Sequence, residues 1–494
     1  MTFSKIDHPL MKRSKDIEVM MPYWTMVDDI VEGYDAIKSA TDKYLPRFPD
    51  EENKDYQTRL ENTKFTNIYR DVLEALSTKP FEDEVKLIGG EERNPVNITE
   101  FIEDVDGAGN NLTVFSSLTF FNGINSAIDW IMVDYPNVDT SKVRNQKQQK
   151  EAGIRPFWSH VLAKNVLEVR TQITATKEVI TYFRMFEPAH GGKKDSVRVF
   201  KRSEEGVVTW ELFEHNDKAQ NEKDMFTLID SGNISIGIIP FVPFSTGRRD
   251  GKTFKFYPAM RDAADLQIVL YRNESALEFI KTMAGYPMLA ANGMRPEKES
   301  DGKTNKKLGI GPMKVLYGVP DGAGNHGEWK FIEPNANSME FLQKNIAMTK
   351  QDLRELGRQP LTALSSQLTT VTTSVAAGKA RSAVTAWALQ LKDALENALV
   401  LTALWMGDTT YDPQVHVFTG FDNVLDDGKD LDALNAARDR GDLSQETYLL
   451  EYKRRKILSP EFNFEDEKTK LLNEIPSDGV DTEAPEEEDV NTND

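Results

Sequence analysis

The sequence predicts an α+β chain built from several parts rather than one compact body. Three observations carry that reading. Between residues 157 and 245, β-branched and aromatic residues alternate with polar ones in short runs. From 260 to 406, apolar residues recur at helical spacing in three long stretches. And 494 residues exceed what a single hydrophobic core usually organises.

Residues 15–85 read as helical. Ile30, Tyr34, Ile37 and Ala40 follow helical spacing, as do Ile68, Val72, Leu73 and Leu76, with the turn YLPRFPDEE breaking them at 44–52. Residues 97–136 start helical and end in an apolar strand, AIDWIMVDYP, stopped by Pro136. A single meander is expected over 157–245, from VLEVRTQI, EVITYFRMFE, SVRVFKR and VVTWELFE. The prolines of IGIIPFVPFS, which follows, suit an edge strand or an extended connector.

A helix over 260–284 spans about 38 Å at 1.5 Å per residue. Residues 286–335 are rich in glycine and proline, and MKVLYG and EWKFIE flank VPDGAGNHG as an expected β-hairpin. A helix over 338–358 places Leu342, Ile346, Leu353 and Leu356 on one face, with Ser338 as its N-cap. A third helix, about 375–406, carries the stripe Val384, Trp387, Leu391, Leu395, Ala398 and Thr402. The strand QVHVFTGF follows. The chain then reads as helical over 431–458, with Ser444 capping 445–457, and again near 464–473. No internal repeat is present.

Charge narrows the function. The net charge of −20 excludes binding to nucleic acid by bulk attraction. Residues 474–494 hold nine acids and no base, which predicts a disordered, solvated tail. No cysteine is present, so thiolate chemistry and disulfides are excluded, as suits a reducing cytoplasm. No apolar run reaches the length of a membrane span or signal peptide, which predicts a chain that stays where it is made. Within this 28%-charged chain, residues 359–378 (QPLTALSSQLTTVTTSVAAG) carry no charge at all. As an isolated stretch, it reads as a linker.

The remaining motifs are weak. Gly322, Gly324 and Gly327 match GxGxxG, but a strand rather than a helix follows, so a hairpin turn is expected. Gly251-Lys252-Thr253 resembles the end of a phosphate-binding loop, yet the upstream Gly247 is one residue too close. His8, His160, His190, His215, His326 and His416 show no metal-ligand spacing. Neither a catalytic nor a metal-binding set is assigned. Lys303, Lys306 and Lys307 in DGKTNKK form a candidate docking surface, within a near-neutral segment of seven bases and six acids. An exposed solvated loop is the plainer reading.

The order of parts resembles the portal protein of tailed double-stranded DNA bacteriophages. YLPRFP (44–49), Tyr56, Arg59-Leu60 and FTNIYRDVLEALSTKPF (65–81) are similar to the opening of one large group of portals. MVDYP (132–136), RPFW (155–158), AADLQIVLYRNESALEF (263–279) and LNAARDRGDLSQETYLLEYKRRKIL (434–458) are similar to later segments, with Leu443 where isoleucine is frequent. The resemblance covers roughly residues 30–470.

It implies a wing (1–258), a first stem helix (259–285), a clip (286–336), a second stem helix (337–358) and a tunnel loop (359–374). A spine helix with a return strand (375–425), a crown (426–473) and the acidic tail (474–494) complete the portal fold. It further implies a ring, typically of twelve copies, at the unique capsid vertex of a virion assembled in the host cytoplasm. Double-stranded DNA passes through such a ring without sequence specificity during packaging and ejection. The partners implied are the terminase large subunit, a head–tail adaptor, and the major capsid or scaffolding protein. No membrane and no cofactor is implied; the motor rather than the portal hydrolyses ATP, so the chain is expected not to be an enzyme.

In that frame Ser365, Ser366, Gln367, Thr369, Thr370, Thr372 and Thr373 face DNA, and Gly378 is a candidate helix hinge. Lys281, Lys344, Lys350, Arg354 and Arg358 are candidate channel-lining cations, against the plainer reading of salt bridges with neighbouring acids. Two alternatives stand beside this: a metal-dependent hydrolase or nuclease drawing on the 80 acids, and another ring protein of the virion.

Overall fold

The computed structural model describes residues 8–90, 92–136, 154–175, 177–219, 221, 224–285, 288–292, 294–295, 319–320, 328–332, 336–357, 370–419, 429–454, 457–458, 462–464 and 467–470. The chain divides into two units, Met1–Thr419 and Gly420–Asp494.

The larger unit begins with helices α1 (Lys15–Glu32), α2 (Tyr34–Ser39), α3 (Asn53–Asn62) and α4 (Ile68–Ser77). α1 buries Ile17, Met20, Tyr23, Trp24, Val27 and Ile30, an apolar face at helical spacing. Asn67 caps α4, its side-chain oxygen accepting from the Arg70 backbone N–H at 3.0 Å. The two-residue strand β1 (Lys86–Leu87), α5 (Val96–Phe101) and α6 (Leu112–Ser126) follow.

Carbonyls at the C-terminal end of α6 would be orphaned without outside donors. Tyr23 donates its hydroxyl to the Asn125 carbonyl at 2.9 Å, and the Trp24 indole N–H donates to the Ser126 carbonyl at 2.8 Å. Ala127 then adopts a left-handed conformation (φ 70°), and the chain turns into β2 (Ile128–Asp134).

The expected single meander is in fact two sheets. A three-stranded antiparallel sheet has the order β3 (Phe157–Val161), β2, β9 (Phe241–Ser245). A five-stranded antiparallel meander contains β4 (Val166–Thr174), β5 (Lys177–Glu187), β6 (Ser196–Arg202), β7 (Val208–His215) and β8 (Phe226–Ile234). The division follows burial. β2 is buried from Ile128 to Val133 and needs cover on both faces, whereas the meander is more open, its last strand β8 exposed from Thr227 to Ser231. Pro243 sits on the edge strand β9, where its missing N–H breaks no ladder bond. α6 packs closely here: a Cβ on Gly123 would lie 2.3 Å from the Phe244 ring. The hairpin β10 (Arg248–Arg249) to β11 (Phe256–Tyr257) contains Gly251-Lys252-Thr253 in its turn, so no helix follows that motif.

α7 (Arg261–Gly285) leads to β12 (Met288–Asn292), β13 (Met294–Arg295), β14 (Val319–Pro320) and β15 (Glu328–Ile332). The first strand of the hairpin expected across VPDGAGNHG, MKVLYG at 313–318, lies outside the described residues, and the described strands pair as follows. β15 pairs with β12, Met288 opposite Ile332, and β14 with β13, Met294 opposite Pro320. The result is a nested antiparallel ribbon. Residues 313–318 and 321–327, with the GxGxxG glycines and His326, lie outside the described residues.

α8 (Ala336–Leu356) returns along α7, starting two residues before the expected cap Ser338, which is therefore helical. α9 (Thr370–Trp405) comes next. It starts five residues before the expected 375, so Thr370, Thr372 and Thr373 belong to its first turn rather than to a loop. Its stripe Val384, Trp387, Leu391, Leu395, Ala398 and Thr402 is buried, as its spacing predicts, and packs on β9 and β2. Three indole N–H groups pin this contact. Trp387 donates to the Thr246 carbonyl at 3.1 Å, Trp405 to the Val133 carbonyl at 3.1 Å, and Trp158 to Thr402 Oγ1 at 2.8 Å. The strand β16 (Val415–His416) pairs with β1.

The smaller unit is a helical hairpin, α10 (Lys429–Asp439) and α11 (Gln445–Arg454). Ser444 caps α11, accepting from the Thr447 N–H at 3.1 Å. Tyr448 and Tyr452 both donate to Asn435 Oδ1, at 2.8 and 2.6 Å, tying the helices together. Residues 467–470 are helical, and 471–494, with the acidic stretch, lie outside the described residues.

Candidate functional site: the paired-helix arm

α7 and α8 pack antiparallel as an arm that ends in the nested ribbon. A buried polar cluster holds its root. Gln267, fully buried on α7, accepts from the Ile68 and Tyr69 N–H groups at 3.0 Å each and donates to the Thr66 carbonyl at 2.8 Å. It thereby satisfies two N–H groups of the first turn of α4 that have no partner within that helix. Two turns further along α7, Glu274 accepts from Thr66 Oγ1 at 2.7 Å, from the Thr66 N–H at 3.2 Å and from Lys350 Nζ at 3.0 Å. Ser275 accepts from Thr63 Oγ1 at 2.9 Å and from Arg59 Nη1 at 3.4 Å.

Arg59 organises the cluster. Its guanidinium is buried and meets Glu51 through two bonds of 2.7 Å, donates to the Pro46 carbonyl at 3.0 Å and stacks over Phe48 at 4.1 Å. The hydrogen bonds from Arg59 hold the Glu51 carboxyl below the usual carboxylate range. The fork geometry of guanidinium on carboxylate fixes direction as well as distance. Pro46, Arg59, Thr66 and Ile68 are among the residues that carry the resemblance to portals, and all of them bond at the arm's root.

α8 is held to α4 as well. Arg354 reaches Asp71 at 3.2 Å, and a Cβ on Gly357 would stand 2.4 Å from Val72 Cγ1. The chain therefore leaves α8 pressed against α4, at a spot that only glycine fits.

Of the candidate channel-lining cations, Lys350 and Arg354 are paired as above, and Lys281 pairs with Glu278 at 3.0 Å. Lys344 is exposed and makes no ion pair among the described residues. Arg358, Lys303, Lys306, Lys307, Ser365, Ser366, Gln367 and Thr369 lie outside the described residues. α9 runs through Gly378 without a break in its helical backbone.

Sequence reading missed one buried pair. His160 on β3 bonds Asp129 on β2, and the other Asp129 oxygen has no partner. Burial pushes the Asp129 carboxyl up to about 6, against the opposing pull of His160. An aspartate inside the apolar run IDWIMV was the available signal. Among the described residues, no group of three or more His, Asp and Glu could hold a metal ion, and no helix is long and apolar enough to cross a membrane.

Comparison with known proteins gives three results. The family described as "Domain of unknown function (DUF4055)" matches residues 259–406, from two residues before α7 to one past α9. No curated protein matches the chain. Two solved structures are similar to it: a chain from the neck of an empty GTA particle computed with C6 symmetry, and one from the neck of a native GTA particle computed with C12 symmetry. The first shows 12% identity over 78% of this chain and 90% of that chain, with a TM-score of 0.42. The second shows 11% identity over 82% and 94%, with a TM-score of 0.41. At those scores neither says what this chain binds.

Proposed function

We propose that this chain is the subunit of a portal-type ring that conducts double-stranded DNA, docks a packaging motor at the ribbon end of its arm, and later holds a head–tail adaptor there. The observation that carries the reading is the order of parts. An antiparallel helix pair tipped by a β ribbon leads into an uncharged segment, and then into a helix of 36 residues, about 54 Å long, laid across the wing-like sheet. The clamped root supports it, because an arm that bears load needs a fixed angle. The matched family stretch coincides with this unit but supplies no function for it.

The neutral stretch 359–378 then has a physical reason. A lysine or arginine at a narrow point would make charge-assisted bonds to each passing phosphate, and each would have to break at every step. Carboxylates repeated around a ring would raise a barrier. Hydroxyls and amides offer weak, exchangeable bonds. Thr369→Lys combined with Thr372→Lys is expected to leave ring assembly intact and to slow or abort DNA packaging in a reconstituted system. Wild-type packaging by that double variant would remove this account of the neutrality. Negative-stain imaging with native mass is expected to show closed rings near twelve times 55.9 kDa. A chain that stays monomeric with its capsid or scaffolding protein present would overturn the ring itself.

A further inference from the structure

Two helices of the larger unit expose apolar faces that no other described residue covers. On α6, Val114 (50% exposed) and Leu118 (53%) lie one turn apart, and Phe121 continues the face. They form one side of an open groove of about 1060 Å³, with Phe81 opposite and Glu74 and Asp106 at its rim. On α8, Phe341 (69%) and Met348 (62%) lie two turns apart, with the unpaired Lys344 between them. Among the described helices these are the two that carry a pair of large apolar side chains at half exposure or more on one face. One is concave with acids at its edge. The other is a convex helix face with a lysine at its centre. α4 packs against both helices, so the two patches belong to opposite partners of one element.

We propose that the Phe341–Lys344–Met348 face of α8 docks into the α6 groove of a neighbouring copy of this chain. The argument is complementarity of shape and charge between two unlike patches on one molecule. A head-to-tail contact, which alone generates a ring larger than two, needs two different surfaces; an isologous dimer needs one surface that fits itself. Two aromatic and aliphatic anchors entering an apolar groove are the kind of contact that carries interface energy, and Lys344 brings the opposite charge to the Glu74 and Asp106 rim. The proposal rests on the ring reading, and it names the surfaces that close the ring.

The chain's lack of cysteine makes the test direct. Leu118→Cys and Met348→Cys both replace exposed side chains, so neither substitution disturbs the core. Treated with a short bis-maleimide, the chain carrying both substitutions is expected to give a ladder of linked oligomers. Each single variant alone gives none, and an equimolar mixture of the two single variants gives linked dimers. A double variant that is oligomeric by light scattering yet yields no ladder would overturn the proposal and leave the ring reading standing. Efficient linking of Leu118→Cys to itself would overturn it in favour of an isologous contact. A sample that stays monomeric and gives no ladder with its capsid or scaffolding protein present would remove both.

Discussion

The arm's root and the seat of the long helix α9 solve the same problem, fixing a helix to a body, with opposite chemistry. At the root, Gln267, Glu274 and Ser275 meet Arg59, Thr63 and Thr66 through directional bonds. Under α9, Val384, Leu391, Leu395 and Ala398 fill volume, and a few bonds add direction, chiefly the indole N–H groups and the Val415 N–H to Glu396 at 3.0 Å. An apolar seat tolerates small rotations, because dispersion contacts are non-directional. A polar clamp does not, because a bond lost in a buried site leaves an unpaired group behind. The paired-helix arm thus receives the attachment that best fixes its angle.

The largest effect is expected where that clamp loses its centre. Arg59→Met leaves the Glu51 carboxylate with no cation and only the Phe48 N–H donating to it at 3.0 Å, which costs about 3 kcal/mol. Measured by denaturant unfolding, Arg59→Met combined with Glu51→Leu is expected to recover most of that loss, since no charge remains to be stranded. If the double variant is as unstable as the single, the clamp acts through packing, and the contrast with α9 collapses.

Leu395→Ala tests the other side. Leu395 is fully buried between α9 and the sheet, and its truncation is expected to cost about 3 kcal/mol, by lost transfer energy plus the cavity left behind. No second deletion should rescue it; only refilling the volume should. A loss under about 1 kcal/mol in the same unfolding measurement would mean that the seat collapses to fill the gap.

How much of this was legible in the sequence follows from the range of the interactions. The helical stripe of α9, strands β4 to β7 of the meander and the Ser444 cap depend on neighbours within a few residues, and their spacing shows them; β8, FTLIDSGNI, was not read. The start of α9 was read too late because TTVTTS is rich in β-branched residues, which have low helix propensity. The pairing of β12 with β15 was not read because it spans 35 or more intervening residues, which no local turn signal reports. The Arg59 clamp joins a residue at position 59 to one at 275, which no local pattern reports. The resemblance marked those residues without saying what they do.

Asp129 sharpens the comparison, because it is a polar group lodged on the apolar side. Its folded pKa, about 6, lies above the unfolded value of about 3.9. The native state therefore holds that proton more tightly than the unfolded chain. The resulting stability is fully present below about pH 4 and is lost as pH rises through about 6, a change of roughly 2 to 3 kcal/mol. Asp129→Asn carries no such proton, so the stability difference between wild type and variant should shift by that amount, in the variant's favour, between pH 4 and 6.5. Denaturant midpoints at four pH values would measure it. A difference that stays flat would show that Asp129 is ionised throughout, a buried carboxylate held by its bond to His160 and so closer in kind to the arm's root than to the seat of α9.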